Sequence, residues 1–181
     1  MIYAALTNTT LILILNYFTN FFTCFGAIFV LVVNMVILES TIVFSIKKQN
    51  RYILLYALLL LIGMIPFYLL GEGWGVWIDD YKPRFSPIFL IYVIAFQAGF
   101  VVIPIISTSL KIYTNFETKT LKKKWRYYFI GTLGAITVPY LIWVSNYVFR
   151  DDFRLIVGIY ALSILLWTNL MYYGIGFKLK Q

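Results

Sequence analysis

Glu39, Gln97 and Asn169 are the side chains with the most chemistry to offer inside the long apolar stretches of this sequence. Glu39 is the only carboxylate or amine in any of them. A charge in hydrocarbon costs about 2.5–3.5 kcal/mol by insertion scales, so such a residue turns toward other helices or water, or takes up a proton. One reading is a cation or proton site. The plainer reading is a glutamate that ties helices together by hydrogen bonds or reaches back toward Lys47. Asn34 lies five positions before Glu39, about 140° away around a helix, so those two do not share a site. A polar cavity formed by Glu39, Gln97 and Asn169 is the sharper alternative, which nothing in the spacing demands. Interhelical hydrogen bonding by Asn34, Gln97, Ser107, Thr137, Ser145, Asn146 and Asn169 is the plainer one.

Two polar connectors carry the remaining candidates. The stretch 71–86 reads GEGWGVWIDDYKPRFS. Trp74 and Trp77 suit the headgroup level of an aromatic belt. Asp79 and Asp80, with Glu72, offer oxygen ligands for a divalent cation, but their spacing matches no calcium loop. A solvated loop with an aromatic belt is expected, with external sensing or docking as the functional reading. The stretch 111–126 reads KIYTNFETKTLKKKWR. Lys119, Lys122, Lys123, Lys124 and Arg126 would draw anionic lipid by about 1 kcal/mol per residue near the surface. The same cluster would equally suit an acidic protein partner. Tyr113 and Trp125 are expected at the interface.

Absences narrow the chemistry. The chain has no histidine and a single cysteine, Cys24, so neither a thiolate cluster nor an internal disulfide is available. No cofactor or metal is expected, and no catalytic constellation stands out. The paired acids, Asp79–Asp80 and Asp151–Asp152, look like ordinary connectors. The net charge is +8, but the basic residues cluster at the edges of apolar runs, which speaks for membrane topology rather than nucleic acid.

The elements that must position these residues are membrane helices. Only 12% of residues are charged and 62% are hydrophobic, whereas a soluble domain carries about 25% charged residues. A crossing needs about 20 apolar residues. Five stretches qualify, 22–46, 52–70, 87–110, 127–149 and 155–177, within one domain spanning 1–181. The predicted fold is an all-α integral membrane bundle. Eleven basic residues fall on one side, in the connectors 47–51 and 111–126 and the tail, and four on the other. That bias predicts an outside N-terminus and a cytoplasmic C-terminus. Residues 1–21 are open between an interfacial helix, an extension of the first span and a sixth span. Ala95, Ala98 and Gly99, and likewise Gly131, Gly134 and Ala135, form small-residue faces expected to pack within the chain. Pro66, Pro104 and Pro139 lie inside spans and predict local kinks.

From Ile46 to Gly131 the hydropathy arrangement resembles the multi-span N-terminal sensor regions of some bacterial and archaeal histidine kinases. Those regions share the outside N-terminus, basic inner connectors and inside C-terminus. The likeness includes no specific motif, transfers no site residue, and no kinase domain follows to Gln181. The leading expectation is a non-enzymatic, multi-pass, sensor-like or accessory subunit of a prokaryotic plasma membrane, binding a lipid or protein partner or a second copy. A small transporter or oligomeric channel using Glu39 is the alternative.

Overall fold

The computed structural model describes residues 8–176, without the side chains of 40–43 and 176. The first seven residues, and with them Phe177, Lys178 and Lys180 of the tail, lie outside the described residues. Five helical stretches are long and apolar enough to cross a membrane. The chain is a multi-pass helical membrane protein.

Helix α1 runs Thr9–Val43 without interruption. Asn8 caps it, its Oδ1 accepting from Leu11 N at 3.1 Å. Residues 9–21 therefore extend the first crossing and form no sixth one. Asn16, Tyr17, Thr19 and Asn20 have local or interhelical partners; Thr19, for example, donates to Leu15 O at 2.8 Å. Helix α2 spans Ile46–Leu70 and stops at Gly71, whose φ of 65° favours glycine.

The next segment, expected as a solvated loop, is instead a short hairpin in an otherwise helical chain. Strands β1 (Val76–Asp79) and β2 (Lys82–Phe85) pair antiparallel, with Trp77 opposite Arg84 and Asp79 opposite Lys82. Asp80 and Tyr81 make the turn, with φ values of 46° and 54°. Two consecutive positive φ values match the right-handed twist of a hairpin. Val76 and Phe85 point inward and are almost fully buried, so the hairpin lids one end of the bundle. Composition alone reads a Gly- and Trp-rich connector as loop, because the alternating pattern here lasts only four residues per strand.

Helix α3 (Pro87–Gln97) opens on Ser86, whose hydroxyl accepts from Phe89 N at 3.1 Å, with Pro87 in the first turn. A π turn, Ala98–Val102, joins it to α4 (Ile103–Asn115). Pro104 has no N–H to donate, and the chain meets this with a wider turn in which Ile103 N bonds Ala98 O. Three residues later α5 starts and runs Lys119–Val148. The connector expected at 111–126 is thus nearly all helix. Helix α6 (Asp151–Ala161) and α7 (Ile164–Gly176) together make the last crossing, broken by a tight turn at Leu162–Ser163.

Two polar clamps hold the bundle. At the hairpin end Asn20 Nδ2 donates to Asn16 Oδ1 (2.9 Å) and Tyr68 OH (2.8 Å), while Trp143 Nε1 donates to Asn20 Oδ1 (3.0 Å). These bonds join α1, α2 and α5. Toward the other end Asn34, fully buried, donates to Ser109 Oγ (2.8 Å) and Thr108 Oγ1 (3.2 Å) and accepts from Tyr128 OH (3.1 Å). This joins α1, α4 and α5. Ser107, singled out by sequence, faces outward; its neighbours Thr108 and Ser109 make the contact. Asn34→Leu would strand the Tyr128 hydroxyl and is expected to cost about 1–3 kcal/mol. A double-mutant cycle with Tyr128→Phe, read by melting in detergent, checks this: the two losses should sum to more than the double variant's.

The small-residue faces divide. Gly131 and Gly134 sit against α7, where a Cβ on Gly131 would meet Trp167 O at 2.7 Å and one on Gly134 would meet the Trp167 ring. Ala95 and Gly99 instead face outward, and a Cβ at Gly99 meets nothing. Within-chain packing explains only the second set.

Candidate functional site

The end of the bundle opposite the hairpin carries a cleft of about 550 Å³ lined by Tyr113, Lys119, Lys122, Lys123, Arg126 and Tyr127. Its walls are the C-terminal turn of α4 and the first turns of α5. On α5 the lining positions follow helical spacing: 119, 122, 123, 126 and 127 share one face. The opposite face, Trp125 and Tyr128, is buried. Trp125 is therefore a core residue and not an interfacial one: its Nε1 donates to Ser109 O at 2.9 Å, and Phe116 packs edge-on against its ring. This anchor fixes the rotation of α5 and so aims the basic face into the cleft.

The electrostatics are one-sided. Among the described residues no acidic side chain lies within 4.0 Å of Lys119, Lys122, Lys123 or Arg126. Arg126 Nη2 donates to Tyr113 OH at 3.3 Å, and Lys122 Nζ stands 5.7 Å from the Tyr113 ring centre. Both contacts leave the charges in place. A helix N-terminus is itself partially positive. Helix α5 has no acid in its first turn and carries lysines there, whereas α6 begins with Asp151 and Asp152. The cleft thus concentrates positive charge where the helix adds more of the same sign. An anion relieves both at once.

Lys124 belongs to the sequence cluster but does not line the cleft. Tyr113 and Tyr127 do line it, and Tyr127 was missed by the sequence reading. The signal was present: Lys119, Lys123 and Tyr127 are four apart.

The three intramembrane candidates do not converge. Gln97, 3% exposed, lies in the core beside Cys24, and its Oε1 has no hydrogen-bond partner. Glu39 sits near the basic end, its carboxylate 4.0 Å from Lys48 Nζ. Asn169 faces outward from α7 and bonds its own helix at Leu165 O, 2.7 Å.

At the hairpin, Asp79 and Asp80 are engaged by cations. Arg84 Nη1 bonds Asp79 at 2.9 Å, and its guanidinium lies over Trp77 (5.6 Å) and Phe149 (4.8 Å). Lys82 reaches Asp80 (3.6 Å) and Asp151 (2.9 Å). The hydrogen bond to Asp151 holds the Lys82 ammonium above its usual range. Arg154 donates to Pro83 O at 2.7 Å. These contacts latch the hairpin to α6. Trp74 is exposed. Among the described residues no cluster of three or more acids and cysteines is placed to hold a metal.

No protein-family model matches the chain, and neither curated proteins nor solved structures give a match. The likeness to kinase sensor regions therefore rests on hydropathy alone.

Proposed function

We propose that this chain is a non-enzymatic membrane subunit that captures an anionic lipid headgroup in the basic cleft and works as a sensor-like or accessory component. The observation that carries the reading is a cleft with four cations and, among the described residues, no neutralising acid, built at the end of a spanning helix. That position is headgroup depth, where each basic residue favours anionic lipid by about 1 kcal/mol. The flanking tyrosines suit the same layer. The bias of lysine and arginine toward this end supports a cytoplasmic cleft and an outer hairpin.

The test is native mass spectrometry of protein extracted in mild detergent from vesicles of mixed phosphatidylglycerol and phosphatidylcholine. Retention of the anionic lipid, falling as salt rises, is the expected result. Equal retention of both lipids defeats the reading, and so does displacement of lipid by a co-purifying acidic protein. Orientation has its own check. A cysteine placed at Lys123 in a Cys24→Ala background should react with a membrane-impermeant maleimide only from the cytoplasmic side.

Transport through Glu39 has less to support it. Glu39 pairs loosely with Lys48 near the membrane edge, and its carboxylate meets neither Gln97 nor Asn169 among the contacts described.

A further inference from the structure

The last crossing is the least covered by the rest of the protein. Only 6% of its most apolar 18-residue stretch is buried inside the bundle, against 17–33% for the other four. Its exposed residues repeat with a heptad. Leu155, Leu162 and Asn169 are seven apart; Gly158, Leu165 and Tyr172 each follow three later; all six face outward. Alternating steps of three and four trace a straight seam along a supercoiled helix pair. Seam positions on both sides of the tight turn at Leu162–Ser163 are exposed.

Exposed leucines need no partner in a bilayer, because acyl chains cover them as well as another helix would. Asn169 is different. It lies about 27 Å along the helix from Asp151, inside a hydrocarbon core of about 30 Å. One of its N–H groups returns to Leu165 O. Among the described residues, no group reaches its Oδ1. Thr168 beside it is satisfied by Ile164 O at 2.8 Å and Leu165 O at 3.1 Å. Asn169 therefore presents an unanswered acceptor and a spare N–H to lipid, which supplies neither.

We infer that the α6–α7 face docks a second copy of this chain, in parallel, with Asn169 hydrogen-bonded to its symmetry mate. Three arguments choose this occupant. A carboxamide is both donor and acceptor, so it complements its own image across a two-fold axis. Every copy enters the membrane the same way round, which brings Asn169 to the same depth in both. A single asparagine in a seam of apolar residues sets register and pairing, and Gly158 on the same seam admits close backbone approach. The cleft and its lipid play no part in this inference.

The experiment uses the full chain in proteoliposomes with Cys24→Ala. A cysteine at Leu165 should give a covalent dimer on oxidation, while one at Gly99, on the other exposed face, should not. Asn169→Leu should raise the dissociation constant about three- to thirty-fold, measured by fluorescence energy transfer on lipid dilution. Asn169→Gln should restore most of the pairing. Because Leu165 and Asn169 are exposed, each variant should melt like its parent. A properly melting protein that stays monomeric at every lipid ratio overturns the inference. So does pairing that Asn169→Leu leaves unchanged, cross-linking equal at Gly99 and Leu165, or a Leu165 cross-link to a different polypeptide.

Discussion

Replacing Lys122, Lys123 and Arg126 together by glutamine is expected to lower retention of anionic lipid on the order of 100-fold, with the bundle intact. Each side chain is worth about 1 kcal/mol toward an anionic surface, and three of them in one cleft act on the same headgroup. Glutamine keeps length and hydrogen bonding while removing charge. None of the three is buried, and none pairs with an acid within 4.0 Å among the described residues. Their loss should therefore leave the melting temperature unchanged or raise it slightly, since like charges at a positive helix end repel. Lipid counting by native mass spectrometry beside a melting curve separates the two effects. Unchanged retention would show that headgroup capture does not depend on this cleft. A collapse of the fold would show instead that the cluster is structural.

Gly131→Val is expected to be strongly destabilising, costing about 3 kcal/mol and loosening α7 from α5. A Cβ at this position meets Trp167 O at 2.7 Å and Met171 N at 2.8 Å. Both are backbone atoms, so no side-chain rotation makes room and the helices must separate. The effect spreads along the same contact, where a Cβ on Gly174 would meet Tyr128 N at 2.6 Å. Gly99→Val is the matched control: a Cβ there meets nothing, so only helix propensity changes. Thermal melting of the two variants in the same detergent should show a large drop for the first and little for the second. Equal drops would point to a general intolerance of valine in these helices.

Much of the architecture was open to reading from the residues. Long apolar runs bounded by lysine and arginine mark crossings because the cost of leaving backbone polar groups in lipid is met by any helix of sufficient length. The basic cluster was legible for a similar reason: Lys119, Lys122, Lys123 and Arg126 are close in sequence and fall on one helical face. What escaped was contact between distant segments. Asn16 and Asn20 are polar breaks in an apolar run, yet Tyr68 and Trp143 answer them from α2 and α5. The hairpin escaped because Lys82 and Arg84 find Asp151 and Phe149 some seventy residues away.

Residue content alone determined the solvent, a lipid bilayer, and the presence of five apolar crossings, because those are sums over local stretches. Which polar side chain meets which was decided only by tertiary packing. In water an apolar stripe tells a helix which way to face. In lipid the outward and inward faces are equally apolar, so hydropathy holds no record of rotation. That is why Gln97 could turn inward and Asn169 outward with no sign of either in the hydropathy.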